Sequence, residues 1–495
     1  MRESGVLMHI TSLPGPCGIG TMGKYAFSFV DFLKAAGQSY WQILPLTPTG
    51  YGDSPYQSCS TFAGNHYLID LPSLVEEDLL KSEEITAIDW CSCSDKVDYG
   101  TLYNNRLRVL RLAYSRFQDN DEECAKFRAM NDSWLPDFAL FMALKEEHGG
   151  KPWYEWEDGL KFRDPEICGK AFVRLSKEIG FYCFVQYLFY KQWNALQEYA
   201  HENGIQIIGD VPIYVPYDSV EVWKNPELFQ LDETLTPTAV AGCPPDGFTE
   251  DGQLWGNPLY RWDDMAETGY YWWIQRLEAA GKLYDVIRID HFRGFEAYWS
   301  VPYGDKTAKN GHWVKGPDMD FISALQHHLP HIRFIAEDLG FLTQEVLDLR
   351  DNSGFPGMKV LGFAFDSREP SEYLPYNYPV NSVCYTGTHD NMTMRQWFET
   401  ADEDAVDYAV EYMALTEKEG YVWGTIRTAE SSRSDLCVIP MQDLLDLGAE
   451  ARMNFPGTQS SANWTWRSGK EALDPALAKK LYRLTKLYHR LGNQE

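Results

Sequence analysis

Short apolar runs, each followed by polar residues, recur along the chain. Near-continuous apolar runs of this kind are typical of strands that are buried on both faces of a parallel sheet. Eight runs can be delimited, at residues 5–10, 40–46, 205–210, 284–290, 333–337, 357–363, 382–386 and 435–440. The pattern therefore predicts eight parallel strands.

Most of these runs are separated by segments in which apolar residues recur with helical spacing. The segments predict helices at 26–36, 271–280, 320–329, 343–350, 402–415 and 475–491. Gly37 suits the end of the first helix, and Asp474 followed by Pro475 suits the start of the last. Strands and helices that alternate eight times predict an α/β fold of the (β/α)8 TIM-barrel type.

Two connections in this predicted barrel are too long for simple crossovers. Insertions in the βα-loops of such barrels lie at the catalytic face, where the carboxyl ends of the strands meet. We therefore expect one catalytic barrel over residues 1–495, with large insertions at that face. A mainly helical insertion at 47–165 would follow the second strand, and a loop-rich insertion at 211–270 would follow the third.

The charge balance restricts the classes of partner. The chain has 44 Lys and Arg against 72 Asp and Glu, a net charge of −28. Binding to nucleic acid or to an anionic membrane surface needs clustered basic residues, so neither is expected. No run approaches the roughly 18 apolar residues of a membrane span, and the first residues lack the apolar core of a signal peptide.

The cysteines and glycines offer no cofactor site. The 10 Cys are scattered without a CxxC pair, which argues against zinc and fits unpaired thiols in a reducing compartment. No glycine-rich loop suited to a phosphate is present. We therefore expect no metal, no cofactor and a cytoplasmic location.

The fourth predicted strand ends in charged residues that point to chemistry. Side chains alternate along a strand, so Ile287 and Ile289 should face the helices while Arg288 and Asp290 face the barrel interior. Asp290 would then be a catalytic carboxylate, kept ionised because a nearby Arg lowers its pKa. Alternatively, the Arg–Asp pair only fastens the barrel rim.

The fifth predicted strand ends in Glu337. A Glu buried among apolar neighbours stays protonated to higher pH, as a general acid must. The alternative for Glu337, and the favoured one for Asp338, is an acid that stabilises the first turn of a helix.

Two further strand ends carry polar candidates. The loop after the seventh strand contains His389 and Asp390, which could bind hydroxyl groups or simply form a side-chain-bonded turn. Asp210 ends the third strand and is either a further substrate contact or a loop-stabilising acid.

These strand ends should converge at one mouth of the barrel. Asp290, Glu337 and Asp390 would end the fourth, fifth and seventh strands. Two carboxylates about 5–5.5 Å apart perform retaining glycoside chemistry, one as nucleophile and the other as acid and base. An aromatic content of 15% suits the flat faces of sugars, although it also suits an ordinary core.

Several ordered sequence blocks resemble the 4-α-glucanotransferases of glycoside hydrolase family 77, which are called amylomaltases or disproportionating enzymes, in their short form. The blocks are HITSLPGPCGIG (9–20), YWQILPLTPTGYGDSPYQS (40–58), IIGDVPIYV (207–215), AGCPPDGF (241–248), GQLWGNPLYRW (252–262), VIRIDHFRGFEAYW (286–299), AEDLG (336–340), YTGTHDN (385–391) and GAEARMNFPG (448–457). The resemblance covers nearly all of the chain.

The resemblance implies a role for each matching residue. It makes Asp290 the nucleophile, Glu337 the acid/base and Asp390 the carboxylate that stabilises the transition state. The residues that it implies in substrate binding are Arg288, His389, Asp210, Tyr56, Trp255, Gln253, Asp246 and Tyr51. Gly247 departs from the family pattern, because similar enzymes usually carry Tyr there in a mobile loop.

The implied activity is retaining transfer of α-1,4-glucan segments between maltooligosaccharides or starch-type glucans, with ring closure as a further outcome. Spacing alone does not separate this activity from that of an α-amylase-type hydrolase with the same carboxylates. A non-catalytic protein that binds glucans in an aromatic cleft is a third reading. Donor and acceptor glucans are the expected partners.

Overall fold

The computed structural model describes residues 2–50, 52–91, 95–118, 121–245, 249–340, 342–366, 368, 371–458 and 460–492. Its strands, numbered along the chain, are β1 (Glu3–Leu7), β2 (Tyr40–Gln42), β3 (Gln206–Pro212), β4 (Ala239–Cys243), β5 (Gln253–Pro258), β6 (Val286–Asp290), β7 (Ala297–Pro302), β8 (His312–Lys315), β9 (Arg333–Ala336), β10 (Gly357–Val360), β11 (Ser382–Tyr385) and β12 (Leu436–Pro440).

Eight of these strands close into a barrel in the order β1-β2-β3-β6-β9-β10-β11-β12, with β12 beside β1. All neighbouring pairs in this sheet are parallel. Each of the eight predicted apolar runs overlaps one of the barrel strands. The predicted α/β TIM-barrel fold is therefore confirmed.

α-Helices occur between the barrel strands and after the last of them. They are α1 (Lys24–Ala35), α2 (Leu71–Glu76), α3 (Ser82–Thr86), α4 (Tyr99–Tyr114), α5 (Glu122–Met130), α6 (Leu135–Glu147), α7 (Asp158–Lys161), α8 (Pro165–Arg174), α9 (Ser176–Glu202), α10 (Val220–Lys224), α11 (Trp262–Glu267), α12 (Tyr271–Leu283), α13 (Asp318–His328), α14 (Gln344–Ser353), α15 (Met394–Thr400), α16 (Glu403–Met413), α17 (Tyr421–Ser431), α18 (Met441–Leu444) and α19 (Pro475–Leu487).

Several apolar runs leave the sheet earlier than predicted. The run at 40–46 forms a strand only over Tyr40–Gln42. Beyond it, the backbone N–H of Leu44 donates to Nδ1 of His9 at 3.2 Å, and that of Leu46 donates to the hydroxyl of Tyr284 at 3.3 Å. Because side chains satisfy these donors, the segment stays buried without pairing to a neighbouring strand.

The two long connections contain different structures. Between β2 and β3 the chain forms helices α2 to α9, and the long helix α9 leads directly into β3. The second connection contributes β4 and β5 to an antiparallel sheet with the order β5-β4-β7-β8. The apolar pattern did not predict this sheet, because its strands are short and the pairing of β4 with β5 shifts register between Val240 and Gly242.

A fully buried arginine joins the first strand to the segment after α19, at the end of the barrel where the strands begin. The Arg490 guanidinium donates to the carbonyl oxygens of Glu3, Glu430 and Ser432 at 3.0, 2.8 and 2.9 Å. β1 itself pairs with β12. The first strand of the barrel is thus held by the last strand and by the segment after α19.

Candidate active site

The carboxyl ends of the barrel strands open into one large cleft with a volume of about 3830 Å³. Asp290, Glu337 and Asp390 all line it. Asp290 is the last residue of β6, Glu337 follows β9, and Asp390 lies in the loop after β11. The structure therefore brings the three sequence-predicted carboxylates to one mouth of the barrel.

A buried arginine joins two of the strand-end acids. Asp210 on β3 and Arg288 on β6 are paired in register. The Arg288 Nη1 donates to Oδ2 of Asp210 at 2.6 Å and to Oδ1 of Asp290 at 3.0 Å, and the Tyr56 hydroxyl donates to the same Asp210 oxygen at 2.6 Å. Arg288 is thus shared by two carboxylates, and its position fixes that of Asp290.

The pKa of the Asp290 carboxyl differs from the sequence expectation. We expected the neighbouring Arg288 to lower its pKa. Burial instead raises the pKa to about 6 despite Arg288, and the negative charges of Asp210 and Asp390 add to the increase. Arg288 does lower the pKa, as expected, but burial outweighs it because a buried site disfavours the charged form. Asp290 still ionises below neutral pH.

The Glu337 carboxyl lies against the backbone that follows Asp290. Its Oε2 accepts the backbone N–H of His291 at 2.7 Å, and its Oε1 accepts that of Leu339 at 3.1 Å. Burial raises its pKa to about 8, although Arg288 opposes the rise, and the charge of Asp290 adds to it. Glu337 is therefore protonated at neutral pH, as predicted for a general acid.

The neighbouring Asp338 has a structural role of a kind that the sequence did not suggest. Its carboxylate accepts Nη1 of Arg350 and the backbone N–H of Met358, both at 2.7 Å. The next helix begins only at Gln344, so Asp338 does not stabilise a helix start. It ties β10 to α14 and holds the Glu337 loop from behind.

The third carboxylate, Asp390, is held by two neighbours. Nε2 of His389 lies 3.3 Å from its Oδ2, and Nδ2 of Asn454 donates to its Oδ1 at 2.6 Å. Burial opposes ionisation, but His389 and Asn454 outweigh it and keep the pKa of Asp390 well below its ordinary value. Burial also disfavours protonated His389, but Asp390 raises its pKa overall.

The loop around Asp390 also contains the side-chain-bonded turn that was the alternative reading. Asn391 forms it, because its Oδ1 accepts the backbone N–H of Thr388 at 2.8 Å. The Asp390 side chain is left to face the cleft.

Aromatic rings form one wall beside these acids. Tyr56 and His389 stack with ring centroids 5.2 Å apart and an angle of 15°. Trp464 packs against both rings, at 5.8 and 5.9 Å. Sequence reasoning assigned no role to Trp464 or to Asn454. Asn454 lies in one of the blocks that resemble the family, and this position could have marked it as a site residue.

Two further predicted substrate-binding residues, Gln253 and Trp255, also line the cleft. Gln253 and Trp255 are on β5, and Nε1 of Trp255 donates to Oε1 of Gln253 at 3.2 Å. The Trp255 ring meets that of His291 edge-on at 4.8 Å. Asp246, Gly247 and Tyr51 lie outside the described residues, and their assignments remain predictions.

Replacing Asn454 by Ala tests the support of Asp390. The carboxylate would lose a hydrogen bond to a charged group, which contributes about 1.5–3 kcal/mol. We expect kcat/KM for glucan turnover to fall by roughly 10–100-fold, with the melting temperature nearly unchanged. An Asn454→Asp variant should be slower still, because it places a second negative charge beside Asp390. Unchanged kinetics for both variants would contradict the assigned support.

The described ranges contain neither a group of metal ligands nor a helix suited to span a membrane. Across them, no three His, Cys, Asp or Glu side chains are grouped as metal ligands would be. Within the same ranges, no helix combines the length and the apolar character needed to cross a bilayer.

Comparison with known proteins gives consistent matches over the whole chain. The profile of the family described as 4-alpha-glucanotransferase (glycoside hydrolase family 77) matches residues 8–471. A 4-alpha-glucanotransferase of Clostridium butyricum is 50% identical over 98% of this chain and 100% of its own length. One from Thermus thermophilus is 47% identical, with 99% of each chain covered.

A solved structure also matches closely. The amylomaltase from Streptococcus agalactiae in complex with acarbose superposes with a TM-score of 0.96 at 43% identity, covering 99% of this chain and 100% of its own.

Proposed function

The chain belongs to glycoside hydrolase family 77, the 4-alpha-glucanotransferases, and on that premise we propose that it moves α-1,4-linked glucan segments between maltooligosaccharide or starch-type chains. The observation that carries the proposal is the position of Glu337. A protonated carboxyl is bonded to the backbone that immediately follows the Asp290 carboxylate. We assign Glu337 as the acid and Asp290 as the nucleophile of a retaining mechanism, which uses one carboxyl group in each role.

In the first step, a carboxylate oxygen of Asp290 attacks C1 of a donor sugar. The bond from C1 to the glycosidic oxygen breaks, and Glu337 gives its proton to that oxygen, so the leaving chain departs as an alcohol. An ester between Asp290 and the donor segment remains.

In the second step, the ionised Glu337 takes the proton of an acceptor 4-hydroxyl group. The hydroxyl oxygen attacks C1 and the ester bond to Asp290 breaks, so the nucleophile is restored with the configuration retained. Asp390 supports both steps, because its low pKa keeps a negative charge near the positive charge that develops on the sugar ring.

The residues around the acids position the donor ring. Arg288 and Asp210 fix the nucleophile, while Tyr56 and His389 present a stacked pair of polar rings. Trp255 and Gln253 would guide the glucan chain along the cleft. Asp246 and Tyr51 are proposed as further glucan contacts, and a cytoplasmic location remains our expectation from the sequence.

Transfer and hydrolysis differ in which acceptor reaches the ester. A transferase binds an acceptor sugar better than water, and the half-buried Trp255 together with the Tyr56 wall offers apolar surfaces for it. The complete acid set argues against a non-catalytic glucan-binding protein.

A time course on maltotriose tests the proposal. Transfer converts two maltotriose molecules to glucose and maltopentaose, so new chain lengths appear while total reducing ends stay constant. Hydrolysis raises the total, and that result would favour the α-amylase-type alternative. No product of either kind would contradict the proposed activity altogether.

A further inference from the structure

Trp313 is an exposed aromatic side chain in the wall of the cleft. It lies on β8, at the outer edge of the antiparallel sheet, with 41% of its surface exposed. The cleft that contains Asp290 and Glu337 is also lined by Trp313.

The ring is fixed from behind by two side chains. The guanidinium carbon of the buried Arg293 lies 3.9 Å from the ring centroid, a cation–π contact. Trp299 meets the ring edge-on at 5.1 Å, and its own Nε1 donates to the carbonyl oxygen of Ala308 at 2.9 Å. The exposed part of Trp313 is thus a rigid flat surface, so binding to it costs little conformational entropy.

Trp313 lies at the opposite edge of the antiparallel sheet from the predicted glucan contact Trp255. Trp313 pairs with Trp299, Trp299 with Gly242, and Gly242 with Leu254 on β5. The Trp255 strand and the Trp313 strand are thus three strand spacings apart, roughly 14 Å. A short glucan that fills the catalytic centre does not need this second edge, whereas a longer one can extend along it.

We propose that Trp313, held by Arg293, is a stacking platform for a sugar unit of a long glucan, on a different strand from the glucan contact Trp255. The apolar C–H face of a glucose ring would lie on the indole, while the ring hydroxyls remain free for polar partners such as Thr307 and Lys306, which also line the cleft. The inference rests on the proposed function for its substrate class. It makes Trp313 a determinant of chain-length preference.

The test compares maltotriose with maltoheptaose for Trp313→Ala, Trp313→Phe and the unaltered protein. We expect Trp313→Ala to lower kcat/KM for maltoheptaose about 3–10-fold more than kcat/KM for maltotriose, as loss of one aromatic contact implies. Trp313→Phe should restore most of the difference, since it keeps a flat ring. Tyr303→Ala is the matched control, because Tyr303 is 48% exposed on the turn after β7 and is not among the described residues that line the cleft.

A binding measurement makes the outcome independent of turnover. In an Asp290→Asn background, calorimetry should show the Kd for maltoheptaose rising about 3–10-fold on Trp313→Ala. Equal losses for both substrates, or an unchanged Kd, would overturn the proposal and leave Trp313 as a cover for Arg293. If the unaltered protein hydrolyses rather than transfers, the proposed function fails while the Kd comparison still decides the role of Trp313.

Discussion

Asparagine in place of Asp290 is expected to slow glucan turnover by roughly 10⁴-fold or more, because the nucleophile is lost and no other group replaces it. The amide is nearly the same size as the carboxylate and can still accept the hydrogen bond of Arg288, which spans 3.0 Å in the structure. The architecture of the cleft should therefore survive. The measurement is the rate of glucose release from maltotriose, with acarbose binding followed by calorimetry.

A matched control variant distinguishes the loss of the nucleophile from the loss of one negative charge. Asp264 is not among the described residues that line the cleft, and its side chain is 57% exposed. Asp264→Asn changes the net charge by the same amount and should leave turnover within about twofold, since it lies on the surface outside the cleft. Retention of sugar binding by Asp290→Asn alongside lost turnover supports the assignment. Turnover within about tenfold of the unaltered protein would show that Asp290 is not the nucleophile.

Glutamine in place of Glu337 is expected to lower kcat/KM on maltotriose by about 10²–10⁴-fold, the usual contribution of a general acid. An α-maltosyl fluoride donor should be much less affected in the first step, because fluoride leaves without a proton. Equal losses on both donors would contradict the role of Glu337 as the acid.

The pH profile gives the same assignment a second readout. Activity needs Asp290 ionised, so it should fall as the pH drops below about 6, and it needs Glu337 protonated, so it should fall as the pH rises above about 8. Since the two carboxyls interact, these limits belong to the pair. Glu337→Gln should remove the alkaline fall and keep the acid one. An alkaline fall that persists in this variant would assign it to another group.

Much of the barrel could be predicted because both faces of its strands are buried. Runs such as that around Ile287 and Ile289 have no exposed face, so they remain continuous and conspicuous in the sequence. Polar residues at the carboxyl ends of these runs, such as Asp290 and Glu337, therefore lie at the mouth of the barrel. The antiparallel sheet could not be predicted in this way. Its strand His312–Lys315 is largely exposed, and two of its four residues carry aromatic or imidazole rings, so it forms no apolar run.

The electrostatics of the site could not be predicted from neighbours in the sequence. Arg288 stands two residues from Asp290, yet its closest carboxylate is Asp210, far away in the chain, at 2.6 Å. Packing across strands decides which of two carboxylates a shared arginine stabilises more. The same holds for Asn454, whose contact with Asp390 joins two loops that no local pattern connects.

The attachment of β1 to β12 has a consequence for how the protein is made on the ribosome. β1 emerges first but acquires one of its two neighbours only when residues up to Pro440 have left the exit tunnel, and the Arg490 anchor follows later. At roughly 5–20 residues per second, this delay is on the order of tens of seconds. During synthesis the nascent sheet therefore carries an open edge, which closes only after translation has passed β12.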